Sequence, residues 1–273
     1  MKKYRKIALL ILLAVLIFAT DCRLRIVNYT VKSEKTEDEV RLALITDLHN
    51  CRYGKNQSKL LKEIDEAEPD AVLLGGDIFD DDYINDNGRE LVKSLSENYK
   101  TYYVSGNHEW WSGEMYELFD FLDEAGVTVL RGDSDVLEVG DSRVRICGVD
   151  DPCVNVYDED HPDFDEQLKA TGETADGECF NILLSHRPDL KDHYFNYGFD
   201  LVLSGHAHGG QVRIPLLLNG LYAPNQGLFP RLAGGRYDFE EGCMIVSRGL
   251  SRENTIVPRV FNRPELVLVS IGG

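Results

Sequence analysis

The sequence has little positive charge, no paired cysteine motif and no long apolar run. It contains 29 Lys and Arg residues against 47 Asp and Glu residues, for a formal net charge of -18. A surface of this charge repels the phosphate backbone of nucleic acids, so we expect no nucleic-acid partner. The six cysteines form no Cys-x-x-Cys pair, which argues against a zinc ribbon and leaves their redox state open.

An apolar run near the N-terminus extends from Ile7 to Ala19 and follows four basic residues. A basic cap before a short apolar segment indicates a signal peptide or a signal anchor. We expect residues 1–22 to form an uncleaved single-pass anchor in the cell membrane, with a cleaved signal or a buried helix as the alternatives. The excess of basic residues before the run predicts that the domain that follows is extracytoplasmic.

The rest of the chain is predicted to form a strand and polar link at 23–39 and one α/β domain at 40–273. Apolar runs typical of buried strands alternate with segments of helical periodicity, and no tandem repeat is evident. The strands that matter most for function are predicted at 40–46, 71–74, 101–104, 180–184 and 200–204. Each of these strands ends abruptly in a polar segment.

Metal-binding residue types are concentrated directly after these strands. Five of the 7 histidines lie there, and only His161 and His193 do not. Carboxylate, amide and imidazole donors together suit Mn, Fe or Zn better than Ca or Mg. The donors exceed what one tetrahedral zinc needs and match two ions about 3.5–4 Å apart that share a carboxylate. They are Asp47, His49, Asp77, Asp80, Asn107, His108, His186, His206 and His208.

The order of these motifs resembles the calcineurin-like metallophosphoesterase family. The motifs are Asp47-x-His49, Gly76-Asp77-x-x-Asp80, Gly106-Asn107-His108-Glu109, His186 and Gly205-His206-x-His208. The resemblance implies a four-layer αββα sandwich of two mixed β-sheets and hydrolysis of phosphoesters. The segment from Gly209 to Pro215 resembles the membrane-anchored bacterial branch. Some relatives in that branch act on phosphodiesters or on the pyrophosphate of a UDP-diacylglucosamine lipid precursor.

The resemblance also implies a role for each donor. The first ion is expected to be bound by Asp47, His49 and His208, the second by Asn107, His186 and His206, and both by Asp77. His108 is expected near the leaving oxygen, as a proton donor or a charge stabiliser, and Asp80 is expected to orient it. The alternatives are a structural role for His108 and a turn cap for Asp80.

Several further residues have both a functional and a structural interpretation. Asn50, Arg52 and Arg187 lie beside the motifs and are candidates for phosphate contacts, although surface arginines are common. Trp110-Trp111 is expected either to line a substrate groove or lipid contact or to pack in the core. The apolar run from Ile214 to Leu218 is expected to be either an acyl-binding lip or an ordinary packed loop.

We therefore expect a dinuclear metal-dependent phosphoesterase, with Mn, Fe or Zn as its ions. Its substrate is expected to be a phosphodiester, a phosphomonoester or a pyrophosphate, with a lipid-linked substrate as one option. A UDP-2,3-diacylglucosamine-type pyrophosphatase is a narrower alternative. A non-catalytic metal-binding scaffold and a metal-dependent amidase are alternatives from other classes. The sequence does not decide the oligomeric state.

Overall fold

The structure, a computed structural model, describes residues 2–82, 84–252 and 258–273. Its helices form where apolar side chains recur every three to four residues, as Leu60 and Ile64 do on one buried face. Within the described ranges the α-helices are α1 Lys2–Ala19, α2 Ser58–Ala67, α3 Asp86–Ser96, α4 Asn107–Trp111, α5 Met115–Glu124, α6 Val154–Tyr157, α7 Phe164–Thr174 and α8 Lys191–Tyr194.

The strands are short, and the central ones are buried on both faces, as expected for sheets covered on two sides. They are β1 Arg25–Val31, β2 Val40–Ile45, β3 Ala71–Gly75, β4 Lys100–Val104, β5 Thr128–Val129, β6 Ser134–Val139, β7 Ser142–Gly148, β8 Phe180–Leu184, β9 Leu201–Ser204, β10 Tyr222–Ala223, β11 Gly227–Leu228, β12 Gly235–Asp238, β13 Cys243–Val246 and β14 Glu265–Ile271. The pair β10 and β11 forms a small separate hairpin.

Two mixed sheets of six strands make up the centre of the fold. The first has the order β1-β14-β2-β3-β4-β5, and the second has the order β12-β13-β9-β8-β7-β6. In the first sheet β2, β3 and β4 run parallel, while β14 is antiparallel to β2. In the second sheet β13, β9, β8 and β7 are parallel neighbours, and the two edge strands are antiparallel. Parallel strands in adjacent positions bring their carboxyl ends to one edge of each sheet.

The alternation of side chains along each strand divides the core into layers. Leu42 and Leu44 of β2 pack in the cluster that also holds Leu203 of the second sheet. Ala43 and Ile45, which point to the opposite face, pack in the cluster that holds the helical residues of α2, α3 and α7. The two sheets therefore face each other, and helices cover their outer faces. This arrangement confirms the α/β sandwich of two mixed sheets expected from the sequence.

The prediction of a single-pass membrane anchor at residues 1–22 is wrong. The segment does form a helix, α1, but no helix built from the described residues is both long and apolar enough to cross a bilayer. The physical reason lies in its length: an apolar stretch of about 13 residues rises only about 20 Å along a helix, against a hydrocarbon thickness of about 30 Å.

The acidic stretch from Asp150 to Asp165 has the composition of a solvated surface loop, but the structure differs from that pattern. It contains α6 and the first residues of α7, and its two leading carboxylates, Asp150 and Asp151, are fully buried. Each is paired with an arginine, as Arg131 Nε lies 2.8 Å from Asp150 Oδ2. Charge density alone therefore did not show that part of this segment belongs to the interior.

The layer between the two sheets is expected to contribute a large share of the stability. Leu73 is fully buried in this layer. The Leu73→Ala substitution should lower the free energy of unfolding of the protein by about 2–5 kcal/mol, because it leaves a cavity between the sheets. Chemical denaturation of both proteins in the same chelating buffer measures the difference. The matched control is Leu217→Ala on an exposed turn, which should change stability by less than about 0.5 kcal/mol. Equal stability of the Leu73 variant and the parent would contradict this account of the core.

Candidate metal centre

The pairing register brings the donor-bearing loops of the first sheet together. Ile45 of β2 pairs with Leu74 of β3, which in turn pairs with Tyr103 of β4. The three strands therefore end at the same level, and the loops that follow them start side by side. Asp47 and Asp77 lie on the first two loops, Asn107 begins α4 directly after the third, and all three residues are buried.

The second sheet, which faces the first, also contributes donor-bearing loops from the ends of neighbouring strands. Leu184 of β8 pairs with Leu203 of β9, so His186 and His206 leave the sheet at neighbouring positions. The backbone N–H of His206 donates to Asp47 Oδ1 at 2.9 Å, which joins the loops of the two sheets directly. The site is thus built at the junction of the two sheets, from residues separated by up to about 160 positions in the chain.

The backbone is left-handed at most of the expected ligands. Non-glycine residues with positive φ are uncommon and cost about 1–3 kcal/mol each, so a concentration of them points to a functional site. The ligands with positive φ are Asp47 (49°), His49 (45°), Asp77 (53°), His206 (64°) and His208 (46°). These sharp turns direct the side chains back toward the strand ends rather than into solvent.

Two glycines are required by the close approach of these loops. A Cβ atom at Gly106 would lie 2.2 Å from Asp77 Oδ1, and one at Gly205 would lie 2.6 Å from Asp47 Oδ2. Neither distance is compatible with a side chain. The Gly-Asn-His and Gly-His-x-His motifs therefore need glycine at these positions, because any side chain would clash with the carboxylate of Asp77 or Asp47.

The donor atoms fall into two groups that share one residue. In the first group, His49 Nε2 is 3.6 Å from Asp77 Oδ2, and His208 Nε2 is 3.6 Å from Asp47 Oδ1. In the second group, His186 Nε2 is 3.1 Å from Asp77 Oδ2. Among the clusters of the described residues that could hold an ion, two share a carboxylate: Asp47, His49, Asp77 and His208 on one side, and Asp77, His186 and His206 on the other. Asp77 belongs to both. The remaining clusters, His49-Asp80-His108 and Asp80-Asp81-Asp82, lie at or near the rim.

Each histidine of the two groups has one ring nitrogen engaged by a neighbour outside the group. His186 Nδ1 donates to the carbonyl oxygen of Gly75 at 2.8 Å. His49 Nδ1 lies 3.0 Å from Asp80 Oδ2, and His208 Nδ1 lies 3.0 Å from Ser251 Oγ. His206 is reversed, with Nε2 at 2.7 Å from Asn225 Oδ1. Such contacts fix the orientation of each ring, so the other nitrogen faces the centre.

Several buried donor atoms at the centre lack a partner, which is the pattern that cations would satisfy. The atoms without a hydrogen-bond partner in the described part of the chain include Asp47 Oδ2, His49 Nε2 and Asn107 Oδ1. A buried polar atom is normally paired, and unpaired ones call for an explanation. Imidazole nitrogen and carboxylate and amide oxygen suit divalent transition metals. The residues present therefore fit two such ions.

The electrostatics of the protein without metal follow from the burial of these charges. Burial alone would lower the pKa of His186, but the carboxylate of Asp77 outweighs it and raises that pKa to about 10. The same pair holds the pKa of Asp77 well below its usual range, despite burial. Burial, together with the charge on His186, lowers the pKa of His206 to about 4. One proton on His186 thus partly offsets the negative charge that cations would neutralise.

His108 lies at the rim of the centre, and its hydrogen-bond partner differs from the expected one. Its Nδ1 is 2.5 Å from Asp81 Oδ1, whereas Asp80 is bonded to His49. The ring of His108 packs edge-on against that of His49, with centroids 4.4 Å apart. Its backbone N–H donates to Asp77 Oδ1 at 3.0 Å. The turn after β3 therefore presents two adjacent carboxylates to two different imidazoles.

Glu109 holds the two central loops together, and sequence reasoning assigned it no role. Its carboxylate is fully buried and accepts four backbone N–H groups. The donors belong to Asp77, Ile78, Phe79 and Gly106. The position of Glu109 next to His108 in the motif was the available signal, but the N–H groups that it accepts belong to the turn at Asp77, which the motif does not reveal. Asn225 and Ser251 were also missed, because no motif marks them.

The remaining candidates from the sequence have structural partners. Arg187 forms a two-point ion pair with the buried Asp151, at 2.6 and 2.9 Å. Asn50 Oδ1 accepts backbone N–H groups from the start of α3. Trp110 is buried and donates to Ser105 Oγ, while Trp111 is half-exposed, with its ring centroid 4.9 Å from that of His108. Arg52 is exposed and donates to the carbonyl oxygen of Gly54.

Comparison with known proteins agrees with this geometry. Residues 40–210 match the family model described as calcineurin-like phosphoesterase. The chain is 30% identical to an uncharacterized metallophosphoesterase of Aquifex aeolicus (strain VF5), over 92% of each chain. It is 26% identical to the phosphodiesterase YaeI of Escherichia coli (strain K12), over 85% of this chain and 82% of that protein.

Among solved structures, the NAD nucleotidase NadN of Haemophilus influenzae shares the fold. Its TM-score is 0.53 at 17% identity, covering 79% of this chain and 46% of that one. The protein TT1561 of Thermus thermophilus gives a TM-score of 0.51 at 15% identity, covering 79% and 92%. The extent of the family match, together with the buried Asp and His cluster, shows that this chain belongs to the calcineurin-like phosphoesterase family and is a metal-dependent hydrolase of phosphoric esters.

Proposed function

We propose that this protein hydrolyses phosphodiesters with two divalent transition-metal ions. The observation that carries the proposal is the pair of donor groups that share Asp77, since a shared carboxylate is what two adjacent ions require. The similarity to a relative named as a phosphodiesterase supports a diester as the substrate class. Mn, Fe and Zn are the ions that suit this donor set.

Seven residues would hold the ions. Asp47, His49 and His208 serve the first, Asn107, His186 and His206 serve the second, and Asp77 serves both. When bound, two such ions supply charge neutralisation at the phosphoryl oxygens and an activated water nucleophile. Asn107 is included because its Oδ1 is buried without a hydrogen-bond partner and because the preceding residue, Gly106, lies against Asp77.

The residues of the chain itself provide the remaining functions. His108 is the most exposed of the histidines at the centre, with 27% of its side chain accessible. Asp81 holds its Nδ1, which leaves Nε2 as the nitrogen that would donate a proton to the leaving oxygen. Asp80 instead orients His49 as a ligand. We therefore assign His108 the catalytic role, and we assign the positioning role for it to Asp81 rather than to Asp80.

The choice among phosphoester classes is testable with a panel of substrates. In Mn-containing buffer the protein should hydrolyse bis-p-nitrophenyl phosphate faster than p-nitrophenyl phosphate and faster than a UDP-sugar pyrophosphate. Release of p-nitrophenol and of UMP measures the rates. Preference for the monoester would replace the diesterase proposal with a phosphatase, and preference for the pyrophosphate would favour the lipid-precursor pyrophosphatase alternative. Inactivity on all three in the metal-loaded state would favour the scaffold alternative.

Removing the shared carboxylate should eliminate the dinuclear site. The Asp77→Asn variant is expected to bind fewer than two ions per chain and to show only background turnover, because a neutral amide neither bridges nor balances two cations. Elemental analysis of the purified protein and the diester assay measure the two effects. Asp123→Asn, at an exposed position of α5, is the matched control and should behave as the parent. Two ions and parental turnover in Asp77→Asn would refute the bridging role.

The adjacent carboxylates Asp80 and Asp81 should give separable effects. His108→Ala is expected to lower kcat by about 10²–10⁴-fold. Asp81→Asn is expected to lower kcat as well, and both variants should still bind two ions. Asp80→Asn is expected to weaken metal affinity by about 10–100-fold, since it orients the ligand His49. Metal titration and steady-state kinetics distinguish the two outcomes. The assignment fails if Asp80→Asn retains parental metal affinity while Asp81→Asn loses metal.

A further inference from the structure

A second cavity, distinct from the metal centre, lies beside the segment 213–219, which follows the loop that carries His208. Its volume is about 430 Å³, within the range of roughly 300–1,000 Å³ typical of small-molecule sites. It is formed by the first residue of β1, the segment 213–219, the second residue after β13, and the loop before β14. The lining residues are Arg25, Arg213, Ile214, Pro215, Leu216, Leu217, Leu218, Asn219, Arg248 and Phe261.

The charge of this cavity is opposite to that of the protein. Three of the lining residues are arginines, and none of the described residues that line it is Asp or Glu. The whole chain carries a formal charge of -18. One buried carboxylate, Glu265, lies beneath the cavity, with Oε2 at 3.3 Å from Arg248 Nε. Three positive charges thus face one negative charge, which leaves a local excess of positive charge.

Two of the arginines are held close to each other. A point at the Cβ position of Gly234 would be 3.5 Å from Arg213 Nη1 and 3.6 Å from Arg248 Nε, so the two guanidinium groups converge there. Arg213 is fixed by donating Nη1 to the carbonyl oxygen of Gly209 at 3.2 Å and Nη2 to Asn219 Oδ1. Burial and the charge on Arg248 lower the pKa of Arg213 to about 10. Like charges held together in this way favour an anion between them.

An apolar rim adjoins the arginines. Leu216 and Leu217 are 106% and 84% exposed, and Ile214 is 46% exposed. The tight turn that presents them is closed by hydrogen bonds between Ile214 and Leu218, at 3.0 and 2.8 Å. Exposed leucines at a turn contribute nothing to the core, so their contact surface is available to a ligand. The sequence alone left the role of this run open.

We propose that this cavity binds an amphiphilic anion. A phosphate or carboxylate head lies between Arg213, Arg248 and Arg25, where charge-assisted hydrogen bonds from guanidinium groups are strong. The apolar part of the ligand contacts Leu216 and Leu217. The site is separate from the metal centre because none of the seven proposed metal ligands lines it. It does not depend on the proposed diesterase activity.

Calorimetric titration with hexyl phosphate on the metal-chelated protein tests the proposal without contribution from the metal centre. We expect one site, with weaker binding of inorganic phosphate and of hexanol. Arg25→Gln, at an exposed position, and Arg213→Gln should each weaken hexyl phosphate binding by about tenfold or more. Leu217→Ser should weaken hexyl phosphate but leave inorganic phosphate unchanged. The matched control is Arg143→Gln, an exposed arginine outside the cavity.

Three results would overturn the proposal. Parental affinity in both Arg25→Gln and Arg213→Gln would exclude the arginines as the anion site. If inorganic phosphate binds as tightly as hexyl phosphate, the leucines do not contribute to binding. If hexanol binds as tightly as hexyl phosphate, the arginines do not contribute. Thermal unfolding of each variant identifies any loss of fold, and the exposed Arg25 variant keeps the test valid if Arg213→Gln is unstable.

Discussion

The carboxylate of Asp77 is buried at the junction of the two sheets, and every other group of the metal centre is arranged with respect to it. It is 1% exposed, lies 3.1 Å from His186 Nε2 and accepts the backbone N–H of His108. An isolated charge at such a depth is strongly unfavourable, so it needs compensating positive charge. A proton on His186 supplies part of that charge, and bound cations would supply the rest. The loop geometry around it, including the four N–H groups gathered by Glu109, keeps that charge in place.

The same carboxylate connects the two halves of the chain. The first sheet supplies Asp47, His49, Asp77 and Asn107, and the second supplies the three remaining histidines. The layer of apolar side chains between the sheets sets their distance, and the strained turns at the strand ends depend on that rigid layer. Residues beyond the family match also contact the centre, since Asn225 and Ser251 hold the rings of two proposed ligands, His206 and His208. The C-terminal segment is therefore part of the site and not an appendage.

Much of the fold and of the donor set was predictable from the sequence, because both follow from where buried strands end. Donor residues after parallel strands must meet at one edge, whatever the exact strand bounds. The partner of His108 was not predictable, because Asp80 and Asp81 differ by one residue in a tight turn and the backbone decides which imidazole each one meets. The ion pair of Arg187 depends on Asp151, a buried residue in a segment whose composition indicated solvent. The prediction of an N-terminal anchor was wrong because the apolar run is too short, and a basic cap before it does not change that length.

The negative charge of the protein gives a reason for the location of the two regions proposed to bind anions. A surface with 47 acidic and 29 basic residues repels anions, so a phosphoryl group can approach closely only where the field is locally reversed. Cations would reverse it at the metal centre, and Arg25, Arg213 and Arg248 reverse it in the second cavity. The two regions are physically linked, because Arg213 donates to the carbonyl oxygen of Gly209, the residue directly after His208. Displacement of Arg213 by an anion would therefore act on the backbone that sets the position of a proposed metal ligand.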